Sequence, residues 1–524
     1  MNALLHHAPV LLVAVPLLGA FAVPLLGKLG ANVRRGFVGL IVLLTTAIAG
    51  YLAASFYAAD ASPIVYVLGG RLPLPSGMVA PIRIMFEVDG LSVFMILITA
   101  LAALAAVLYT SSYWKQRSGG TLKDSLMLLL IVGIFGMEMT GDLFNFFVFL
   151  EITSIAACSL VGFRVWRGQS QEAAFKVMTL YTLSGLFVLL AVGLLYGQYG
   201  GLNIAYLATM VGSGAAVVDK IALALLLTGL AMKAGAVPMH MWAPDAYGEA
   251  PGAASIVLVA NSQASLYGLF RVLFTLYGNA YSPQTIAWIL IALAVVTIIV
   301  GVTMALVQRD IKRLIAFGAV SQIGYMMLAV GVGFAAMTAL EPSSFGFVAL
   351  QGGLFHMIND AACIGLLFLA AGIIIRRAGT RDLQGMGGLA HEMRWTTAFF
   401  MIGAFALAGM PPLNGFASKL MIYESTFKFS PVLAIIAILA SILLLAVFLR
   451  AFQAAFLGPQ PEGANASQSV PASMLVSMGL LALVVIAFGL FPGFFVDKIV
   501  TPAANALWNG RDAYIQAVML GMGG

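Results

Sequence analysis

Apolar runs of about 20 residues, the length that crosses a hydrocarbon core as a helix, recur from one end of the chain to the other and are separated by short polar stretches. Their centres fall near residues 18, 46, 100, 132, 153, 186, 230, 265, 297, 325, 362, 410, 442 and 483, which predicts an all-α polytopic membrane protein of about 14 transmembrane helices. Residues 58–86, with GGRLPLPSG between short β-branched runs, predict a hairpin on the outer side. Residues 457–469 (LGPQPEGANASQS) predict a polar linker, and the stretch after Thr501 a surface helix. Residues 8–27 have no basic n-region and no small-residue cleavage site, so they predict a first helix rather than a cleaved leader.

Two runs break the apolar rule in the same way. The seventh carries Lys233 and is interrupted by Pro238; the twelfth carries Lys419 and is interrupted by Pro411 and Pro412. A cation at mid-membrane costs about 2.5–3.5 kcal/mol on insertion scales, so it is retained only where it faces protein or water. Proline removes a backbone donor and obstructs the carbonyl four residues back, and irregular backbone at that depth is tolerated where it lines a cavity. Broken helices at matching places in two five-helix blocks are the pattern of an inverted repeat. The chain divides accordingly into residues 1–123 (helices 1–3 and the hairpin), 124–280 (helices 4–8), 281–456 (helices 9–13) and 457–524 (linker, helix 14 and tail).

Composition narrows the class further. At 62% hydrophobic and 9% charged, against about 25% charged for a soluble domain, the chain belongs in a bilayer. Cys158 and Cys363 both lie in apolar runs, which speaks against a disulfide framework or an iron–sulfur site; no metal site, cofactor or catalytic redox centre is expected. The net charge of +6 is spread over short loops, which excludes nucleic acid as the partner and fits topology determination instead. Of 26 basic residues, Lys176, Lys233, Arg271 and Lys419 fall inside spans, while Arg71, Arg83, Lys220, Lys428, Lys498 and Arg511 share one set of loops. All the others lie on the opposite side, which puts that side in the cytoplasm and both termini outside.

The remaining intramembrane charges supply the candidate chemistry. Glu151, among Phe and Leu, needs a cation nearby to stay charged, and Lys233 is the candidate; such a pair titrates as one unit, so separating the two releases a proton. A static ion pair that fixes helix packing is the competing account. Lys176 is either an anchor or the next station along a path. Glu138 is expected at the outer rim, and Arg271 in a structural or snorkelling role. His356 and Asp360, four apart, share one helix face and can bridge protons between the blocks, or form a structural pair. Gln263, His240, Ser321 and Gln322 are candidates for ordering water. A lateral proton path is the economical reason for keeping Glu151, Lys233, His356, Asp360 and Lys419 in a membrane.

The runs TGDLFNFFVFLE (140–151), MKAGAVPMHMWAPDAYGEAP (232–251), RDIKRLIAFGAVSQIGYM (309–326) and LAGMPPLNGFASK (407–419) resemble the antiporter-like subunits of respiratory complex I and of Mrp cation/proton antiporters, with relatives in energy-converting membrane hydrogenases. The SQIGY and TGDLF wording is most similar to the Mrp D subunit. The resemblance implies fourteen helices, two inverted repeats and proton translocation within a larger complex of a prokaryotic inner membrane, moving H⁺ and coupled to Na⁺ exchange or to redox work by partner subunits. It implies that Glu151 pairs with Lys233, that Lys176 tunes Lys233, that Lys419 terminates the second half-path, and that His356 is the first polar station of the eleventh helix. Gln263 and Ile364 stand where the family carries lysines, and Asp360 where it carries histidine. Gln263 orders water but holds no charge at neutral pH. Three readings follow: a working ion path, a scaffold subunit whose path is degenerate, and a quinone-binding redox subunit.

Overall fold

In the computed structural model, described over residues 3–58, 62–68, 84–113, 119–211, 216–278, 280, 283–337, 344–457, 459 and 469–523, the chain is a helical bundle with one small sheet. It runs through α1 (Ala3–Leu26), α2 (Ala31–Ala58), β1 (Ile64–Val67), β2 (Met85–Val88), α3 (Gly90–Tyr113), α4 (Gly120–Met139), α5 (Leu143–Val161) and α6 (Gly168–Tyr199). Short α7 (Ile204–Met210) precedes α8 (Val217–Ala234), α9 (Trp242–Glu249) and α10 (Gly252–Phe270), which continues as a π-helical turn over Arg271–Tyr277. Next come α11 (Pro283–Val307), α12 (Ile311–Met337), α13 (Ser344–Ala378), α14 (Leu389–Glu392), α15 (Arg394–Ala408), α16 (Asn414–Phe429), α17 (Pro431–Phe452), α18 (Ala472–Leu490), α19 (Pro492–Phe495), α20 (Thr501–Trp508) and α21 (Arg511–Gly523). Among the described residues, twelve helices are long and apolar enough to cross a membrane.

β1 and β2 pair antiparallel, Ile64 opposite Val88, as the hairpin expectation requires; its tip, residues 69–83 with Arg71 and Arg83, lies outside the described residues. So do Lys115, Arg117 and nearly all of the expected linker. The tail after Thr501 is helical, and Tyr514 of α21 is buried rather than laid on the surface.

The membrane faces follow from side-chain size. Between helices that are apolar all round, hydropathy drives no association, so close approach of small residues does. A Cβ at Gly301 of α11 would stand 2.5 Å from the Ser321 backbone nitrogen of α12, and one at Gly324 of α12 would stand 2.7 Å from the Ala294 carbonyl. α10 is enclosed along its whole length and α12 along all but its ends, whereas α1 and α2 lie at the edge.

The two interrupted helices end on glycine, not on proline. α8 stops at Ala234 because Gly235 turns left-handed at φ 93°, its N–H bonding the Ala231 and Met232 carbonyls. α15 stops at Ala408 with Gly409 at φ 85°. Such a left-handed cap costs glycine nothing. Pro238, Pro411 and Pro412 follow within the breaks and prevent the helices from resuming at once. α16 begins so close to the end of α15 that a Cβ at Gly415 would stand 1.8 Å from the Ala406 carbonyl oxygen.

Candidate ion path

Lys233 sits in the last turn of α8 and is fully buried. Its ammonium donates to the Leu150 carbonyl at 2.5 Å and to Ser154 Oγ at 2.7 Å, both on α5, and stands 4.7 Å from the centre of the Tyr181 ring on α6. Lys419 lies just past the other break, 1% exposed. Its ammonium donates to the Leu407 carbonyl and to Ser441 Oγ, each at 2.8 Å, and stands 4.6 Å from the centre of the Tyr325 ring. The two lysines are therefore held alike, by one carbonyl, one serine hydroxyl and one tyrosine face. Leu407 is among the last four residues of α15, whose carbonyls lack helical partners and attract a cation.

Lys233 is not locked in a salt bridge with Glu151, its expected partner, and Lys419 forms none with Asp360. Glu151 and Lys233 are within electrostatic reach, but no N–O distance between them falls within 4 Å. Glu151 lies half-buried on α5 against the bare Cα of Gly185, where a Cβ would stand 2.1 Å from Oε1. Asp360 and Lys419 are related in the same way. An amine with neutral donors and acceptors around it and a carboxylate nearby can exchange partners by a small movement, which a closed ion pair resists.

Between the lysines, Tyr181 Oη lies 3.4 Å from Asn261 Nδ2 on α10, a weak contact. Gln263 of the same helix donates to the Met357 carbonyl at 2.9 Å and to Asp360 Oδ2 at 3.1 Å, leaving Gln263 Oε1 and Asp360 Oδ1 as buried acceptors without a protein donor. His356 does not bond Asp360: its ring is strung between Ser418 Oγ and Gln322 Oε1, each at 3.0 Å. A neutral imidazole there donates from Nε2 and accepts at Nδ1. Ser321 donates to the Ile298 carbonyl, so Ser321 and Gln322 serve different partners. His240, in the α8–α9 break, is mostly buried with its ring edge-on to Phe317 and Nδ1 unpartnered.

One further placement departs from expectation, and two fall within it. Glu138 is no rim carboxylate: it is wholly buried, accepting from Thr99 Oγ1 at 2.6 Å. Lys176 pairs with Asp245 of α9 at 2.8 Å and with Glu172 at 2.7 Å. Arg271 does not snorkel. It is clamped on both oxygens of Asp89 at 2.7 Å, beneath the Tyr514 ring.

Asp89, Asp245, Glu249, Lys312, Tyr181, Tyr325, Ser154 and Ser441 escape a reading that searches apolar runs for charge. Asp89 alone carries a local sign, an Asp three residues before Ser92, whose backbone N–H it accepts at 3.0 Å at the start of α3. Beside it, burial pushes the Glu87 carboxyl well above its ordinary range, with Arg271 opposing and Asp89 reinforcing the rise. Burial would raise Asp89 as well, but the Arg271 guanidinium outweighs it and holds Asp89 low. A carboxyl raised in the folded state favours folding while protonated and disfavours it as pH climbs above the unfolded value. Glu87→Gln is therefore expected to raise the melting temperature on the alkaline side and to change it little in acid. Parallel melting-versus-pH curves for wild type and variant would rule this out.

Residues 140–444 match the family NADH:quinone oxidoreductase/Mrp antiporter, TM. The chain is 33% identical over 94% of its length to NADH-quinone oxidoreductase subunit N of Desulforudis audaxviator, covering 98% of that protein. It is 30% identical over 84% of its length to the D subunit of a Na⁺/H⁺ antiporter of Bacillus subtilis, covering 87% of it. In three dimensions it superposes on a chain of the Mrp complex of Dietzia sp. with a TM-score of 0.84 at 25% identity, over 99% of this chain and 100% of the other. This integral membrane chain, with its two broken helices and buried lysines, belongs to the NADH:quinone oxidoreductase/Mrp antiporter family of antiporter-like subunits.

Proposed function

We propose that the chain is the proton-translocating subunit of a multisubunit complex, an Mrp-type cation/proton antiporter or a redox-driven pump, in a prokaryotic inner membrane. The arginine-rich loops face the cytoplasm and both termini face outward. The twelve long helices, with α8–α9 and α15–α16 as the interrupted seventh and twelfth spans, make fourteen, arranged as two inverted repeats over residues 124–280 and 281–456. The observation that carries the proposal is the matched seating of Lys233 and Lys419, each in a carbonyl, serine and tyrosine cradle beside a helix break. Glu151, His356, Asp360, Gln263, Ser321, Gln322 and His240 supply the charges and water-ordering groups around them. Moving one charge through 100 mV is worth about 2.3 kcal/mol, the scale of one buried-pair rearrangement. Na⁺ is the second ion where the complex is an antiporter.

Gln263 favours a second reading, a scaffold whose lateral relay is interrupted, because an amide cannot carry the charge onward. Asp360→Asn separates the two. In vesicles holding the purified complex at matched subunit content, proton flux is expected to fall about tenfold, the effect of about 1.36 kcal/mol on the barrier. Wild-type flux in this variant would promote the scaffold.

A further inference from the structure

Lys312, in the first turn of α12, is a buried amine that the lateral path leaves unused. It forms no salt bridge among the described residues. Its ammonium donates to the Ala250 carbonyl at 2.5 Å and to Ser255 Oγ at 3.3 Å, and faces the Phe368 ring at 5.6 Å. The charged groups within its electrostatic reach are Arg381, Arg164, Asp310 and Glu249, all at the arginine-rich end. From there polar groups run inward along one side of α10. Ser255 Oγ donates to the Tyr247 carbonyl at 3.0 Å, and the hydroxyl of the same tyrosine meets Ser262 Oγ at 2.6 Å. Ser255 and Ser262 are seven residues apart, about 10 Å along one helix face, and Tyr247 spans that interval. Tyr247 also lies within electrostatic reach of Asp360, whose Oδ1 has no protein donor.

We propose that Lys312 loads protons from the arginine-rich side into Asp360 along a route past Ser255, Tyr247 and Ser262, and that this loading and the movement at Lys233 are two steps of one cycle, so that neither turns over without the other. This rests on the reading of Asp360 and Lys419 as parts of a working path, and it removes the difficulty posed by Gln263. The Lys312 ammonium releases one proton inward and its amine is recharged from the aqueous side. Each hydroxyl along the route, with water in the interval, accepts one proton as it passes another on, and the Asp360 carboxylate receives it. No group changes its net proton count over a cycle.

Lys312 also caps the end of α9 through Ala250, and a purely structural role predicts that any cation there suffices. Arginine keeps the charge and the donors but does not release its proton in proteins. In vesicles holding the purified complex, Lys312→Arg is expected to assemble normally and to lower proton flux about tenfold. Tyr247→Phe keeps the ring packing, deletes the hydroxyl, and is expected to do the same. Wild-type flux in either assembled variant overturns the route; if Lys312→Arg fails to assemble, Tyr247→Phe decides alone. Asp360→Asn is run alongside. Reduced flux there with wild-type flux in Lys312→Arg removes only this uptake route, whereas wild-type flux in Asp360→Asn removes the path through the second repeat as well.

Discussion

Replacing Lys233 by alanine is expected to stop ion movement through an otherwise assembled complex. Without the amine, a proton crossing the α8 break travels as an uncompensated charge at about 2.5–3.5 kcal/mol, which at 1.36 kcal/mol per decade is about a hundredfold in rate. The variant leaves the Leu150 carbonyl, the Ser154 hydroxyl and the Tyr181 ring facing the space the side chain vacated. These groups are neutral and can be met by water, so assembly is expected to survive. The measurement is proton and sodium flux in vesicles of the purified complex, wild type against variant, at matched subunit content. Undiminished flux with intact assembly would show that ions cross the complex elsewhere.

The largest expected effect on stability is at the opposite end from the arginine-rich loops. Asp89→Ala leaves Arg271 buried without its anion, and breaking one side of a buried pair costs about 3–5 kcal/mol. The pair ties the start of α3 to the π-helical turn that continues α10, and Tyr267, Thr275 and, at 3.5 Å, Ser92 are the guanidinium's other side-chain acceptors. Removing both charges with Asp89→Ala and Arg271→Met is expected to recover most of the loss, since the cost lies in the orphaned cation. Thermal unfolding of the complex in detergent reads this directly. A single-variant loss of under about 1 kcal/mol would place the pair with exposed salt bridges, which contribute little.

Glu138 and Lys176 show where reading the chain by depth fails. Hydropathy places Glu138 close to the end of its helix, as it is, yet burial depends on the lateral neighbour, Thr99 of α3. Lys176 has Glu172 one helical turn before it, but Asp245, 69 residues away, reaches it only through α9. Lys312 reads as one of several loop cations because its covering groups, Ala250 and Ser255, belong to other helices.

What the chain determines alone follows from transfer free energy. Apolar length decides where helices run, glycine and proline decide where two of them stop, and the cost of a bare charge in hydrocarbon singles out Lys233, Lys419, Glu151, His356 and Asp360 as candidates. Packing decides the rest. Among helices that are apolar on every side, periodicity does not say which faces meet, and contact is settled by small residues such as Gly185, Gly301, Gly324 and Gly415 that let backbones approach. That approach seats each lysine on a carbonyl, a serine and a tyrosine rather than on its carboxylate, sends His356 to Ser418 instead of Asp360, and builds the Lys312 column from three separate helices. Hydrogen bonds of this kind act over about 3 Å, so the tertiary fold must bring the groups together before any of them has a partner.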